Sequence, residues 1–244
     1  MINISRIQGR LIPALFILLI SLPVRAQFET KDYVILSSAA AAGLILYNND
    51  AGINRKFMSH QNSFSDHLSA GAEVFGNKYV LGAGFIGLFA FSAYTGNVEL
   101  KNTSILAFKS FAVTGVVTYS LKALIHRHRP SETSDPYKFS GPSFKTDNLS
   151  FPSGHTAFAF STAKIFSDSY EKIKFLPYIT YSAAALTGLS RIYDGEHWAS
   201  DVLAGAVIGY YSAYLILKTN RSDKILILPD IAPGRTGLYL GVSF

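Results

Sequence analysis

Lys122 and Arg129 stand seven positions apart in the run KALIHRHRP, with Pro130 directly after. An ammonium is a compact point charge and a guanidinium a planar fork, a pairing suited to gripping an oxyanion. The same cations could simply complement the C-terminus of a helix that Pro130 brings to a stop. A second run, Pro152-Ser153-Gly154-His155, joins a hydroxyl, a residue that lets backbone approach closely, and an imidazole. At a helix start its free N–H groups would make an anion cradle, with His155 able to protonate a leaving oxygen. Read blandly, Ser153 is an N-cap and His155 a first-turn residue. The third run, SRIYDGEHWASD, carries Ser190-Arg191, His197 and Asp201. Four-residue spacing on a helix would set the Asp201 carboxylate beside the His197 imidazole and leave the other ring nitrogen free to attack.

Those runs need a frame. Six apolar stretches recur between polar connectors: Tyr33–Tyr47, Tyr79–Tyr94, Ile105–Ile125, His155–Phe166, Leu176–Tyr193 and Val202–Leu217. Each exceeds the length of an ordinary strand, and their many Gly and Ala residues suit close helix packing. An amphipathic helix is expected at about Phe64–Phe75. If successive helices run antiparallel, the end of the third, the start of the fourth and the turn between the fifth and sixth share one face. Lys122, Arg129, Ser153, Gly154, His155, Arg191, His197 and Asp201 then gather at one mouth.

Hydrophobic residues make up 49% and charged ones 16% of the 244 residues, which leans toward a membrane or very apolar helical protein. Arg6 and Arg10, the stretch Leu11–Leu22 and Val24-Arg25-Ala26 read as a secretory signal over residues 1–26. Its removal takes three of the six net positive charges. No basic tail or aromatic-studded cationic stripe remains, so nucleic acid is a poor partner. The absence of Cys excludes disulfides and thiol chemistry and suits a bacterial-type cell envelope. Residues 27–222 form the helical domain, with a motif core over 122–201. In the tail, 223–244, Lys224–Leu228 and Gly237–Phe244 read as two strands of a hairpin.

The three runs resemble the signatures Lys-x6-Arg-Pro, Pro-Ser-Gly-His and Ser-Arg-x5-His-x3-Asp of the type 2 phosphatidic acid phosphatase (PAP2) superfamily, shared with class A acid phosphatases and vanadium haloperoxidases. All three are complete and in order over Lys122–Asp201. The resemblance implies an all-α fold, a six-helix bundle of this type, here followed by the short C-terminal β-hairpin. It implies a metal-independent phosphatase without a cofactor, acting on a phosphorylated lipid or a small phosphate ester. His197 would become the phosphohistidine, with Asp201 orienting it and His155 serving the leaving group. Lys122, Arg129, Ser153, Gly154 and Arg191 would hold the phosphoryl oxygens. Two alternatives stand beside it: a vanadium-dependent haloperoxidase, which uses the same residues to hold vanadate, and a non-catalytic phospholipid-binding membrane protein, which would need neither nucleophile nor proton donor.

Other polar residues read more plainly. His126 and His128 are expected on the exposed surface, and Asp194 and Glu196 in a solvated loop. Trp198 could line the mouth or pack between helices, His60 and His67 have no evident partners, and Lys109 and Lys164 would snorkel. Counting crossings from an external start, three spans would put the mouth in the cytoplasm. Either one early run, Tyr33–Tyr47 being the weakest, does not span, or the bundle is periplasmic and merely apolar. The expectation is a membrane-associated bundle with its site facing the periplasm, the alternative a soluble periplasmic protein.

Overall fold

The computed structural model describes residues 28–143, 149–222, 225–232 and 235–242, and only the backbone beyond residue 220. The leader assigned to residues 1–26 lies outside the described residues. Seven helices are present among them: α1 Thr30–Met58, α2 Ser63–Glu73, α3 Lys78–Thr95, α4 Val98–Ile125, α5 Gly154–Ser169, α6 Leu176–Tyr193 and α7 Ala199–Ser222. Each of the six apolar runs lies in one helix, and α2 is the amphipathic segment of the first connector. The sequence count of six therefore becomes seven. Beyond α7, the backbones of β1 (Ile225–Ala232) and β2 (Arg235–Val242) pair antiparallel, with Ile225 opposite Val242.

Helix starts follow local chemistry. The side chains of Asn62, Asn77 and Asn97 accept from backbone N–H groups at the openings of α2, α3 and α4. Glu29 and Asp32 form a capping box on α1. Gly96, left-handed at φ 69°, ends α3. His126 ends α4 in the same region at φ 47°, its N–H donating to the Lys122 carbonyl at 2.9 Å.

Packing centres on α5, which α4, α6 and α7 surround. Small residues let it sit close. A Cβ at Gly205 or Gly209 of α7 would run into the carbonyls of Ser153 and Ala157, so α7 lies on α5 almost backbone to backbone. One apolar cluster joins Phe85, Ala107, Ile165, Ala213 and Leu217 in mid-bundle. Another, with Tyr47, Ile125, Phe139, Phe151 and Ala204, underlies the motif end.

Helix α1 runs antiparallel to α7 along its length. Tyr214 donates to the Asp32 carboxylate at 2.8 Å near one end, and the Ser200 N–H donates to Asp50 at 3.0 Å near the other. Helices α4 and α7 are long and apolar enough to cross a membrane, and α2 with α3 could form one span bent by 51°. Val116, Phe108, Ile86 and Phe91 on α3 and α4 turn outward. Lys164, expected to snorkel, instead pairs with Asp168 at 2.9 Å above the Tyr210 ring.

Candidate active site

The three motif runs meet at one end of the bundle and are tied together through backbone. The Ser153 N–H donates to the Asp201 carbonyl, Ser150 N–H to Arg127, Ser131 N–H to Gly195, and the Glu196 and His197 N–H groups to the Arg191 carbonyl, all at 2.9–3.1 Å. Lys122 lies in the last turn of α4 and donates to the Leu149 carbonyl at 2.5 Å. Ser153 occupies the N-cap position of α5, its hydroxyl 2.8 Å from that of Thr156, and the peptide bond before Pro152 is cis. The N–H groups of Gly154 and His155 open that helix, where an intrahelical acceptor is lacking. Arg191 closes α6, and His197 sits in the turn before α7.

His197 is buried, and its pKa is held well below the ordinary imidazole value. Loss of hydration is the main cause, followed by the charges of Lys122 and Arg129 and by His155. The ring is thus neutral over a wide pH range, with its lone pair available. His155 is lowered to about 4, chiefly by burial and then by the Arg191 charge, with Glu73 pulling the other way.

Asp201 does not orient His197 in the way the spacing suggests. One of its oxygens accepts from Arg127 at 2.5 Å; the other accepts from the Ser150 hydroxyl at 2.5 Å and the Trp198 N–H at 3.0 Å. Nδ1 of His197 is buried without a hydrogen bond among the described residues, and the Ser150 backbone is the group that favours a proton on the ring. The reason is local. Helix α7 begins at Ala199, so His197 precedes it, and Asp201 turns back to cap Trp198 in place of reaching along a helical face.

Arg127, between Lys122 and Arg129, belongs to the site although no motif position marks it. Its guanidinium is 0% exposed and bridges Asp50 at 2.8 Å to Asp201 at 2.5 Å, both carboxylates likewise sealed from water. Ser200 binds Asp50 through N–H and hydroxyl and receives a bond from Arg127, while the rings of Tyr47, Phe139 and Trp198 surround the guanidinium. Burial of the adjoining histidines follows. His126 and His128, read as surface, are 3% and 9% exposed because residues 127–140 fold back, Arg127 bridging to Phe139 and His128 bonding Ser140. Trp198 is buried and donates to the His128 carbonyl at 2.9 Å.

Asp194 and Glu196 are not idle loop charges either. Glu196 pairs with Arg129; Asp194 pairs with Arg191 at 2.6 Å and accepts from Ser69 at 2.8 Å. Glu73, at the end of α2, touches both Arg191 at 2.9 Å and the His155 ring at 3.5 Å. A histidine elsewhere in the first connector, His60, bonds the Lys56 carbonyl at 2.8 Å. Among the described residues no group of three or more His, Cys, Asp or Glu could hold a metal ion. Positive charge at the mouth comes from Lys122, Arg129 and Arg191.

A helical bundle with these three runs at one end defines a protein class, and comparisons agree with it. The family model of the PAP2 superfamily matches residues 104–224, and the chain belongs to that superfamily. The lipid A 1-phosphatase of Porphyromonas gingivalis is 48% identical over 61 residues, which is 25% of this chain and 14% of that protein. The chain spans between 14% and 66% of the length of the first curated relatives it matches. Its fold is similar to a transmembrane PAP2 type phosphatidylglycerolphosphate phosphatase from Bacillus subtilis, with a TM-score of 0.61 and 22% identity over 77% of this chain and 96% of that one. Aquifex aeolicus LpxE superposes with a TM-score of 0.55 and 26% identity over 69% of this chain and 94% of that one.

Proposed function

We propose that this chain is a metal-independent phosphatase that hydrolyses a phosphate ester of a membrane lipid through a phosphohistidine. The observation that carries the reading is a buried, neutral His197 set under the charges of Lys122 and Arg129. A phosphate held there would meet a nucleophile with an available lone pair and a site already shaped for its charge. Lys122, Arg129, Arg191, Ser153 and the N–H of Gly154 would hold its oxygens. Nδ1 is buried, and Nε2 is assigned as the attacking atom.

In the first step the Nε2–P bond forms as the P–O bond to the leaving group breaks, and the leaving oxygen takes the proton of His155. In the second, water gives a proton to His155 and its oxygen to phosphorus, and the P–N bond breaks to release phosphate. His155 must carry a proton to begin. Burial and then the surrounding cations disfavour that proton in the empty site, and a bound phosphate offsets the cations' charge and favours it. Asp201 acts at one remove, fixing Ser150 and the turn that holds His197. The lipid phosphatases similar to this chain, with the apolar outer faces of α3 and α4, support a lipid substrate.

The decisive experiment uses the detergent-solubilised full chain with a chelator present. Phosphate release from a phosphomonoester, inhibition by vanadate, and an acid-labile phosphoenzyme lost in His197→Ala are expected. Full activity in His197→Ala overturns the mechanism. Vanadate-dependent bromide oxidation would favour the haloperoxidase alternative instead.

The mouth is assigned to the periplasmic face. Since α1 runs from the far end of the bundle to the mouth alongside α7, a cleaved leader and a periplasmic site hold together only if neither α1 nor α7 crosses the bilayer. The buried Asp32 and Asp50 of α1 suit that arrangement. The natural chain lacks Cys, so single cysteines at Glu132 and Gly96 can be labelled in intact cells with an impermeant maleimide. Labelling at position 132 is expected; protection there until permeabilisation overturns the assignment.

A further inference from the structure

Helix α2 turns two faces to different neighbours. Its inner face is bonded to α6: the Tyr193 hydroxyl donates to Asp66 at 2.6 Å, Ser69 to Asp194 at 2.8 Å, and Thr187 to the Ala72 carbonyl at 2.7 Å. Its last residue, Glu73, reaches both Arg191 and the His155 ring. Outward, Phe64 and Leu68 of α2 are exposed, as are Leu186 and Leu189 of α6. A cavity of about 170 Å³ lies between the two helices, with Phe57, Leu68, Leu186 and Leu189 in its walls and no charged residue in its lining. Ser69 and Ser190 are its buried end, and their hydroxyls are already bonded, to Asp194 and to the Thr187 carbonyl. A cavity of this size and lining takes an apolar guest. Two features choose that guest. Through the turn Val74–Gly76, α2 continues into α3, whose Ile86 and Phe91 face outward, so one wall of the cavity is joined to a surface fit for hydrocarbon. Asp194, bonded to Ser69 on one oxygen and to Arg191 on the other, stands between the cavity and the phosphate-binding guanidinium. A chain lying there is beside the reaction and not in line with it.

We propose that this cavity seats an acyl chain of a bilayer lipid other than the substrate, and that the seated chain activates the enzyme by holding α2 against α6. This rests on Arg191 and His155 having the roles given above. A chain that touches Leu68 on one helix and Leu186 and Leu189 on the other binds only while the two are together, which is the differential affinity a population shift requires. With α2 in place, Glu73 stays beside Arg191 and His155; with α2 lifted, both lose that carboxylate. An enzyme built this way turns over faster among lipids, whatever ester it is given.

The test uses an ester without a chain, so that stimulation cannot come from the substrate. The full chain is purified in a steroid-based detergent, which has no linear chain, and hydrolysis of para-nitrophenyl phosphate is followed as phosphatidylcholine is added. A rise of about fivefold in kcat is expected, the lower end of common coupling energies. Leu68→Gln combined with Leu189→Gln, both at exposed positions outside the catalytic machinery, should keep the lipid-free rate and abolish the rise. A phosphatidylcholine carrying a diazirine in its acyl chain should cross-link to α2 and α6 in the wild type and not in that variant. Glu73→Gln should keep the cross-links and lose the rise. Absence of a rise, an equal rise in the double variant, or cross-links confined to other helices each overturn the proposal. A changed preference between long- and short-chain esters in the double variant, without any rise in the wild type, would give the cavity to the substrate's own chain and overturn it as well. Full activity in His197→Ala would sink the phosphohistidine reading alone, because the lipid-dependent rise is read on that activity just as well.

Discussion

Arg127 and Arg191 lie at the same end of the bundle, and each meets two carboxylates. Around Arg127, the partners Asp50 and Asp201 are wholly enclosed, and the Ser150 hydroxyl and the N–H groups of Trp198 and Ser200 occupy the oxygens the guanidinium leaves free. Around Arg191, Glu73 and Asp194 remain 38% and 31% exposed, and Glu196 beside Arg129 is similar at 35%. Access of water is what separates the two. A sealed pair cannot trade its partner without leaving a charge dry, whereas a half-wet pair gives up its carboxylate to a phosphate at small cost. The inner arginine is therefore a fixed brace, and in the proposed mechanism the outer two are the anion sites, paired with carboxylates until substrate comes.

The largest effect should come from breaking the brace. Arg127→Met strands Asp50 and Asp201 in the core, and breaking such a pair costs about 3–5 kcal/mol. The expected readout is a marked fall in Tm, or loss of folded protein, in detergent. Adding Asp50→Asn and Asp201→Asn to Arg127→Met should recover a good part of the stability. A single variant as stable as the wild type would sink the distinction between the two regions.

On the outer side the order reverses, with activity lost and stability kept. Arg191→Ala should lower kcat/KM by about 10²–10³, the scale for one lost transition-state donor, with a small change in Tm. A Tm loss matching that of Arg127→Met would mean that Arg191 is a second brace.

Punctuation in the chain made the outer arginines legible. Pro130 forbids further helix beside Arg129, Pro152 and Gly154 open another, and Gly195 with φ 67° turns the chain before His197. The helices themselves followed from long apolar runs, and helix α2 from its amphipathic pattern. The brace was hidden because its members are scattered: Asp50 lies 77 residues before Arg127, and Asp201 lies 74 after it. A pairing over such distance leaves no local pattern. His126 and His128 misled for a related reason, since the Ser- and Pro-rich stretch after them looks solvated yet returns to cover them. His197 and Asp201 misled through periodicity, because a four-residue spacing means a shared face only where the helix has already begun.

The exchangeable carboxylates can be separated by what each one touches. Glu73 is the only one of them within ion-pair reach of His155, and its charge raises the pKa of that ring. Glu73→Gln removes the raising influence, so His155 gives up its proton at lower pH. Since the proposed mechanism needs that proton, the basic limb of the kcat/KM profile should move to lower pH. A limb that stays in place would detach Glu73 from His155 and leave it a partner of Arg191 alone.

The smallest change tests the idea of exchange most directly. Glu196 holds Arg129 in the empty site, and a phosphate must displace it to reach that guanidinium. Glu196→Gln keeps the shape of the side chain and removes its charge, so phosphate no longer competes with a carboxylate. A partly exposed ion pair is worth about 0.2–1 kcal/mol, so product inhibition by phosphate should tighten about two- to fivefold. Because the free Glu196 carboxylate would repel the dianion once displaced, Glu196→Ala should act in the same direction. Tightening by both variants points to charge as the cause, whereas tightening by Ala alone would point to added room. An unchanged inhibition constant in Glu196→Gln would show that Arg129 keeps its carboxylate while phosphate is bound, and the outer pair would then have to be counted with the brace.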